Sequence, residues 1–83
     1  MTEKQVSLMS AAQCRMARAA LNWSLDDLAE ASGIGRATIH RFENGGENVK
    51  ANTITALQTA LEAQKVVFYV DGPLRGAVRL AAE

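Results

Sequence analysis

A mainly α fold is predicted, four helices followed by a C-terminal β-strand or hairpin, and three observations predict it. Apolar residues recur at helical spacing between positions 10 and 64. Two of the helical stretches are short and are hinged on a single glycine, Gly33. After Gln64 the chain turns abruptly β-branched and aromatic. The boundaries that follow are an arm at 1–9, a helical domain at 10–64 and a strand or hairpin at 65–83.

Residues 1–9 show no sustained period and set Lys4 against Glu3, so they read as a flexible arm without basic character. Ser10 and Gln13 have the spacing of a capping box, which starts a first helix over 11–21. Cys14, Ala17 and Leu21, with Met16 and Ala20, give that helix a small-residue face for close packing. Asn22 ends it, and Trp23 begins the connection. Ser24 caps a second helix over 25–32, with Asp26 and Asp27 beside the positive end of its dipole and Leu25, Leu28, Ala29 and Ser32 at helical spacing.

Gly33 supplies the backbone angles of the turn, and a third helix over 36–43 is stopped by Asn44-Gly45-Gly46. Two helices that cross steeply need a residue without bulk where they touch, which is Ala29, while Leu28, Ile34, Ile39 and Phe42 fill the wedge between them. Arg36, Ala37, His40 and Arg41 are then left pointing outward. Residues 45–51 form a loop, and Asn52 or Thr53 caps a fourth helix of about a dozen residues. Its stripe of Ile54, Leu57, Ala60 and Leu61 closes the core. Two strands follow, Val66 to Val70 and Ala77 to Leu80, joined by a loop of about six residues containing Asp71-Gly72-Pro73.

Composition excludes several classes of function. Nothing approaches the length of a membrane span, and the N-terminal stretch has neither a basic region nor a continuous apolar one, so a cytosolic location is expected. Cys14 is the only cysteine, which rules out an internal disulfide or thiolate cluster; it is expected as a small buried apolar residue rather than a redox switch. One histidine and one cysteine, with no glycine-rich phosphate loop after a strand, argue against an enzyme and call for no cofactor or metal. Nine Lys plus Arg balance nine Asp plus Glu, so any affinity for nucleic acid rests on local distribution: Arg36, Arg41, Lys50 and His40 gather around the third helix.

The stretch Leu-Ala-Glu-Ala-Ser-Gly-Ile at 28–34, followed by Thr-Ile-His-Arg-Phe-Glu-Asn-Gly at 38–45, resembles the phage repressor and Cro family, also called xenobiotic-response-element-like helix-turn-helix regulators. The resemblance covers roughly residues 10–61. It implies a lambda-repressor-like helix-turn-helix domain, with the third helix presented to the major groove of double-stranded DNA. Where the family usually opens that helix with Ser or Thr, this chain has Gly35, a weaker cap that predicts a frayed start. In the family an arginine at the place of Arg18 bridges to a glutamate at the place of Glu43; the alternative is a solvated arginine.

The resemblance implies base contacts from Arg36, Ala37, His40 and Arg41, the arginines bidentate to guanine and Ala37 against a thymine methyl. It implies phosphate contacts at Leu25, Thr38, Asn44, Asn48 and Lys50. The fifth helix through which such repressors dimerise is absent, and the strand tail is closer to the Cro solution. Two readings of the tail stand side by side: a homodimer pairing strands through Val66, Phe68 and Val70, or a hairpin folded over its own fourth helix. The expected function is a sequence-specific DNA-binding transcriptional regulator, a dimeric repressor on a palindromic operator. The alternative is a protein-interaction module, an antitoxin or antiactivator, with DNA binding secondary or lost.

Overall fold

The computed structural model describes residues 8–45 and 48–81. It contains α1 (Ala11–Leu21), α2 (Leu25–Ser32), α3 (Arg36–Glu43), α4 (Ala51–Glu62), β1 (Val66–Phe68) and β2 (Val78–Leu80). Among the described residues no helix is long and apolar enough to cross a membrane.

The helix boundaries follow from local chemistry. At α1 the Ser10 hydroxyl accepts from the Gln13 N–H at 3.1 Å, and the Gln13 side-chain carbonyl accepts from the Ser10 N–H at 2.9 Å. The helix ends where Asn22 turns left-handed, at φ 58°. Asp27 does more than favour the dipole: it closes a second capping box, accepting from the Ser24 N–H at 2.8 Å while Ser24 accepts from its N–H at 3.0 Å. Gly33, at φ +78°, turns the chain between α2 and α3, where a side chain would strain the backbone although its Cβ would meet no neighbour. Gly35 caps α3 with no side-chain bond, as its lack of a hydroxyl dictates.

The start of α4 corrects the expected cap. Its N-cap is Lys50, ahead of Asn52 and Thr53, and no side chain bonds the first turn. Asn48 stands left-handed at φ 69°, and the Lys50 carbonyl accepts the N–H of both Thr53 and Ile54. Packing of Val49, Ile54, Leu57 and Leu61 on the core sets the boundary instead of a capping hydroxyl or amide.

The core consists of Met9, Cys14, Ala17, Leu28, Ile39, Phe42, Leu57, Leu61 and Val66, with Leu21, Ala29, Ile34 and Ile54 packed half-buried around it. Two expectations change here. Met16 and Ala20 stay outside, Met16 being 44% exposed, because they fall a third of a turn away from the Cys14–Ala17–Leu21 stripe. Met9, assigned to the arm, is instead buried, and its N–H donates to the Gln58 side chain at 2.8 Å. Lys4, Glu3 and the rest of residues 1–7 lie outside the described residues.

The strands pair antiparallel in the register Val66↔Leu80, Val67↔Arg79 and Phe68↔Val78. They are shorter than expected because the chain curls from Tyr69 to Ala77 through left-handed Gly72 and Gly76, closed by the Tyr69 N–H to Ala77 carbonyl bond at 3.0 Å and the Gly76 N–H to Tyr69 carbonyl bond at 2.7 Å. The hairpin folds over its own domain, β1 against α4 and β2 against α1. Val66, 3% exposed, is spent in this core, so its side chain is not available to a second copy; Phe68 and Val70 remain half-buried.

Gln13 pins the hairpin. It is 3% exposed, and its amide nitrogen donates to the carbonyls of Tyr69 at 2.9 Å and Ala77 at 3.1 Å, spanning the mouth of the turn. Replacing Gln13 with alanine removes both bonds and half of the α1 capping box. It is expected to cost about 1–3 kcal/mol and to accelerate amide exchange at Tyr69 and Gly76 ahead of global unfolding. Exchange at those amides unchanged relative to wild type would contradict this role.

Candidate nucleic-acid interface

The interface is built on α2 and α3. Leu28 and Ile39 are fully buried and Phe42 nearly so, which fixes the inner side of both helices. The outer stripe of α3 is what remains: Arg36, Ala37, His40 and Arg41 are all exposed. An α-helix with its side chains is about 10–12 Å across, which a major groove about 12 Å wide admits, and the eight residues of α3 offer about 12 Å of its length. A crevice of about 550 Å³ opens beside it, lined by Leu25, Arg36, Ala37 and His40. Arg36 Nε also lies 3.3 Å from Asp26 Oδ1 of α2, both side chains largely in solvent.

The expected phosphate-contact residues frame this stripe unevenly. Leu25 opens α2, where the first-turn N–H groups have no intrahelical acceptors. Thr38 is half-buried on the flank of α3, and Asn48 and Lys50 are exposed at the approach to α4. Asn44 departs from its expected part: its side-chain amide turns back to donate to the His40 carbonyl at 2.7 Å, closing the end of α3.

A buried brace holds α3 at its angle. Glu43, 3% exposed, accepts from Arg18 twice, Nε to Oε2 and Nη2 to Oε1, each at 2.7 Å. Arg18 Nη1 donates to the Trp23 carbonyl at 3.0 Å, and Arg15 donates to the backbone carbonyl of Glu43. The bridge between α1 and the end of α3 is thus present, and larger than the sequence suggested. Hydrogen bonding to Glu43 holds the Arg18 guanidinium even further above its ordinary range, so the arginine keeps its charge.

Cys14 completes the brace, its thiol 3.2 Å from Glu43 Oε2. Nothing in the sequence assigned it there; only the helical spacing from Arg18 placed both on one side of α1. Burial, then the Glu43 carboxylate, push the thiol well above its ordinary value. Native protein is therefore expected to resist iodoacetamide at mildly alkaline pH, and denatured protein to react at the rate of a free thiol. Native labelling at the denatured rate would contradict this burial. Among the described residues no group of three His, Cys, Asp or Glu side chains is placed to hold a metal ion.

Residues 15–64 match the family model described as Helix-turn-helix, a span from the middle of α1 past the end of α4. The chain belongs to the Cro/C1-type helix-turn-helix family. The hairpin lies outside the matched span. A chain of the solved HipA-HipB-O2-O3 complex is similar to this one, with 27% identity and a TM-score of 0.59, over 75% of this chain and 87% of the other. No curated protein matches. Membership accounts for the helix-turn-helix arrangement of α2 and α3 within the four helices.

Proposed function

We propose that this helix-turn-helix protein is a sequence-specific transcriptional regulator, a dimeric repressor that reads a palindromic operator through α3. The observation that carries the reading is the exposed stripe of Arg36, Ala37, His40 and Arg41, held outward by the Arg18–Glu43 brace. Arg36 and Arg41 present donors to guanine O6 and N7, and His40 lies between them one turn along. In the crevice, Leu25 and Ala37 supply an apolar side suited to a thymine methyl, next to Arg36 and His40. Thr38, Asn48, Lys50 and the Leu25 amide grip phosphates on either side. A formal net charge of zero keeps non-specific affinity low, so the contrast between operator and bulk DNA comes from these few contacts.

Two copies would set their α3 helices about 34 Å apart, one turn of duplex. Contact between copies falls to Phe68, Val70 and the open edge of the hairpin, since Val66 faces inward. Sizing at high micromolar concentration without DNA is expected to give a dimer, and a strict monomer would count against the strand-paired arrangement.

Selection from a pool of randomised duplexes tests the function itself. An enriched inverted repeat with half-sites about ten base pairs apart is expected. A pool that never enriches, with no sequence bound better than bulk DNA, would overturn DNA readout. One observation favours a second reading, a module that binds a partner protein: the similar solved chain comes from a complex containing HipA and HipB. The unenriched pool is the result that would leave that reading in its place.

A further inference from the structure

Asp26 is an odd residue to find beside a DNA-reading face, since a carboxylate near phosphates repels them. It is the second residue of α2, it takes no part in the Ser24–Asp27 capping box, and it is 78% exposed at the side chain. A salt bridge this exposed contributes little to folding, and a first-turn carboxylate adds only a modest interaction with the α2 dipole, which does not require a partner on α3. Its partner does: Asp26 Oδ1 sits 3.3 Å from Nε of Arg36, the first residue of α3.

The geometry points to Asp26 as a positioning residue that orients Arg36 toward guanine and sharpens discrimination against other bases; this rests on the proposed DNA readout by α3. A guanidinium has five N–H donors in a planar fork. Occupying the Nε side with a carboxylate leaves the two Nη groups as a forward pair, the pair that matches guanine O6 and N7. Opposite guanine, the fork is satisfied from both ends once the groove excludes water. Opposite adenine, the N6 amino group replaces an acceptor, the fork is left short of a partner, and Asp26 still faces the phosphates. The carboxylate thus lowers affinity for every sequence and has that loss offset only at the right base.

The test uses the full chain, a duplex selected from the randomised pool, a scrambled duplex of equal length, and the selected duplex carrying 7-deazaguanine at each guanine in turn. Four variants are compared: D26N, R36A, the D26N/R36A double, and E30Q as a charge control, Glu30 being exposed on the same helix and in neither ion pair. The D26N variant is expected to keep its melting temperature and to bind the scrambled duplex more tightly. Its ratio of selected to scrambled affinity should fall about tenfold. The penalty of 7-deazaguanine at the Arg36-dependent position should shrink with it. In the E30Q variant both affinities rise alike and the ratio holds, and D26N adds nothing to the ratio in the R36A background. A D26N ratio equal to wild type, or a change matched by E30Q, overturns the positioning role. If R36A loses the preference and D26N does not, only that role fails. If R36A also keeps the preference, the base contact assigned to Arg36 fails and the positioning role falls with it.

Discussion

Replacing Glu43 with alanine is expected to destabilise the protein by about 3–5 kcal/mol, much of the roughly 5–15 kcal/mol available to a small domain. The side chain is 4% exposed and answers two donors of Arg18, whose own side chain is 19% exposed, so its loss strands a guanidinium in the interior. The Cys14 thiol loses its acceptor at the same time. Arg18→Ala leaves the carboxylate stranded instead and should cost a similar amount. Removing both partners with apolar residues of similar volume, Arg18→Met with Glu43→Leu, should cost much less than either single loss, because no charge is left buried. Denaturant unfolding of the four proteins gives the comparison. Single variants within about 1 kcal/mol of wild type would mean that the bridge does not brace α3.

Replacing Arg36 or Arg41 with alanine is expected to act on recognition and leave the fold intact, since both side chains are in solvent. A bidentate arginine–guanine contact is worth about 1–3 kcal/mol of discrimination, so each variant should lose roughly five- to 150-fold in the ratio of selected to scrambled affinity. A residue that touched only phosphate would weaken both duplexes alike and lower the magnitude of the salt slope by about one. If neither variant changes the ratio, base readout does not lie at these arginines. Deleting the thymine methyl near Ala37, by uracil substitution, is the corresponding test of the crevice.

The helices were legible because their signals are local. Ser10 with Gln13, Ser24 with Asp27, and Gly33 at a left-handed turn each fix a boundary through bonds within a few residues. The outward stripe of α3 followed from spacing alone, once Ile39 and Phe42 had to face the wedge. What sequence reasoning missed depends on tertiary contacts. Gln13 was read for its cap, and its second use across the hairpin mouth joins residues 56 and 64 positions apart. Cys14 gave no sign of meeting Glu43, and the Lys50 cap of α4 arises from packing where side-chain chemistry favoured Asn52 or Thr53. Val66 reads as an interface residue by composition, yet one side of a strand laid on α4 must be core.

In the proposed readout the outer face of α3 is the surface that meets DNA. Titrating the isotopically labelled protein with the selected duplex, and following backbone and arginine side-chain N–H signals, tests it directly. The largest shifts are expected across Arg36–Glu43 and at the Leu25 amide, with β1 and β2 little changed. Shifts confined to the hairpin and the outer face of α1, with α3 silent, would contradict it.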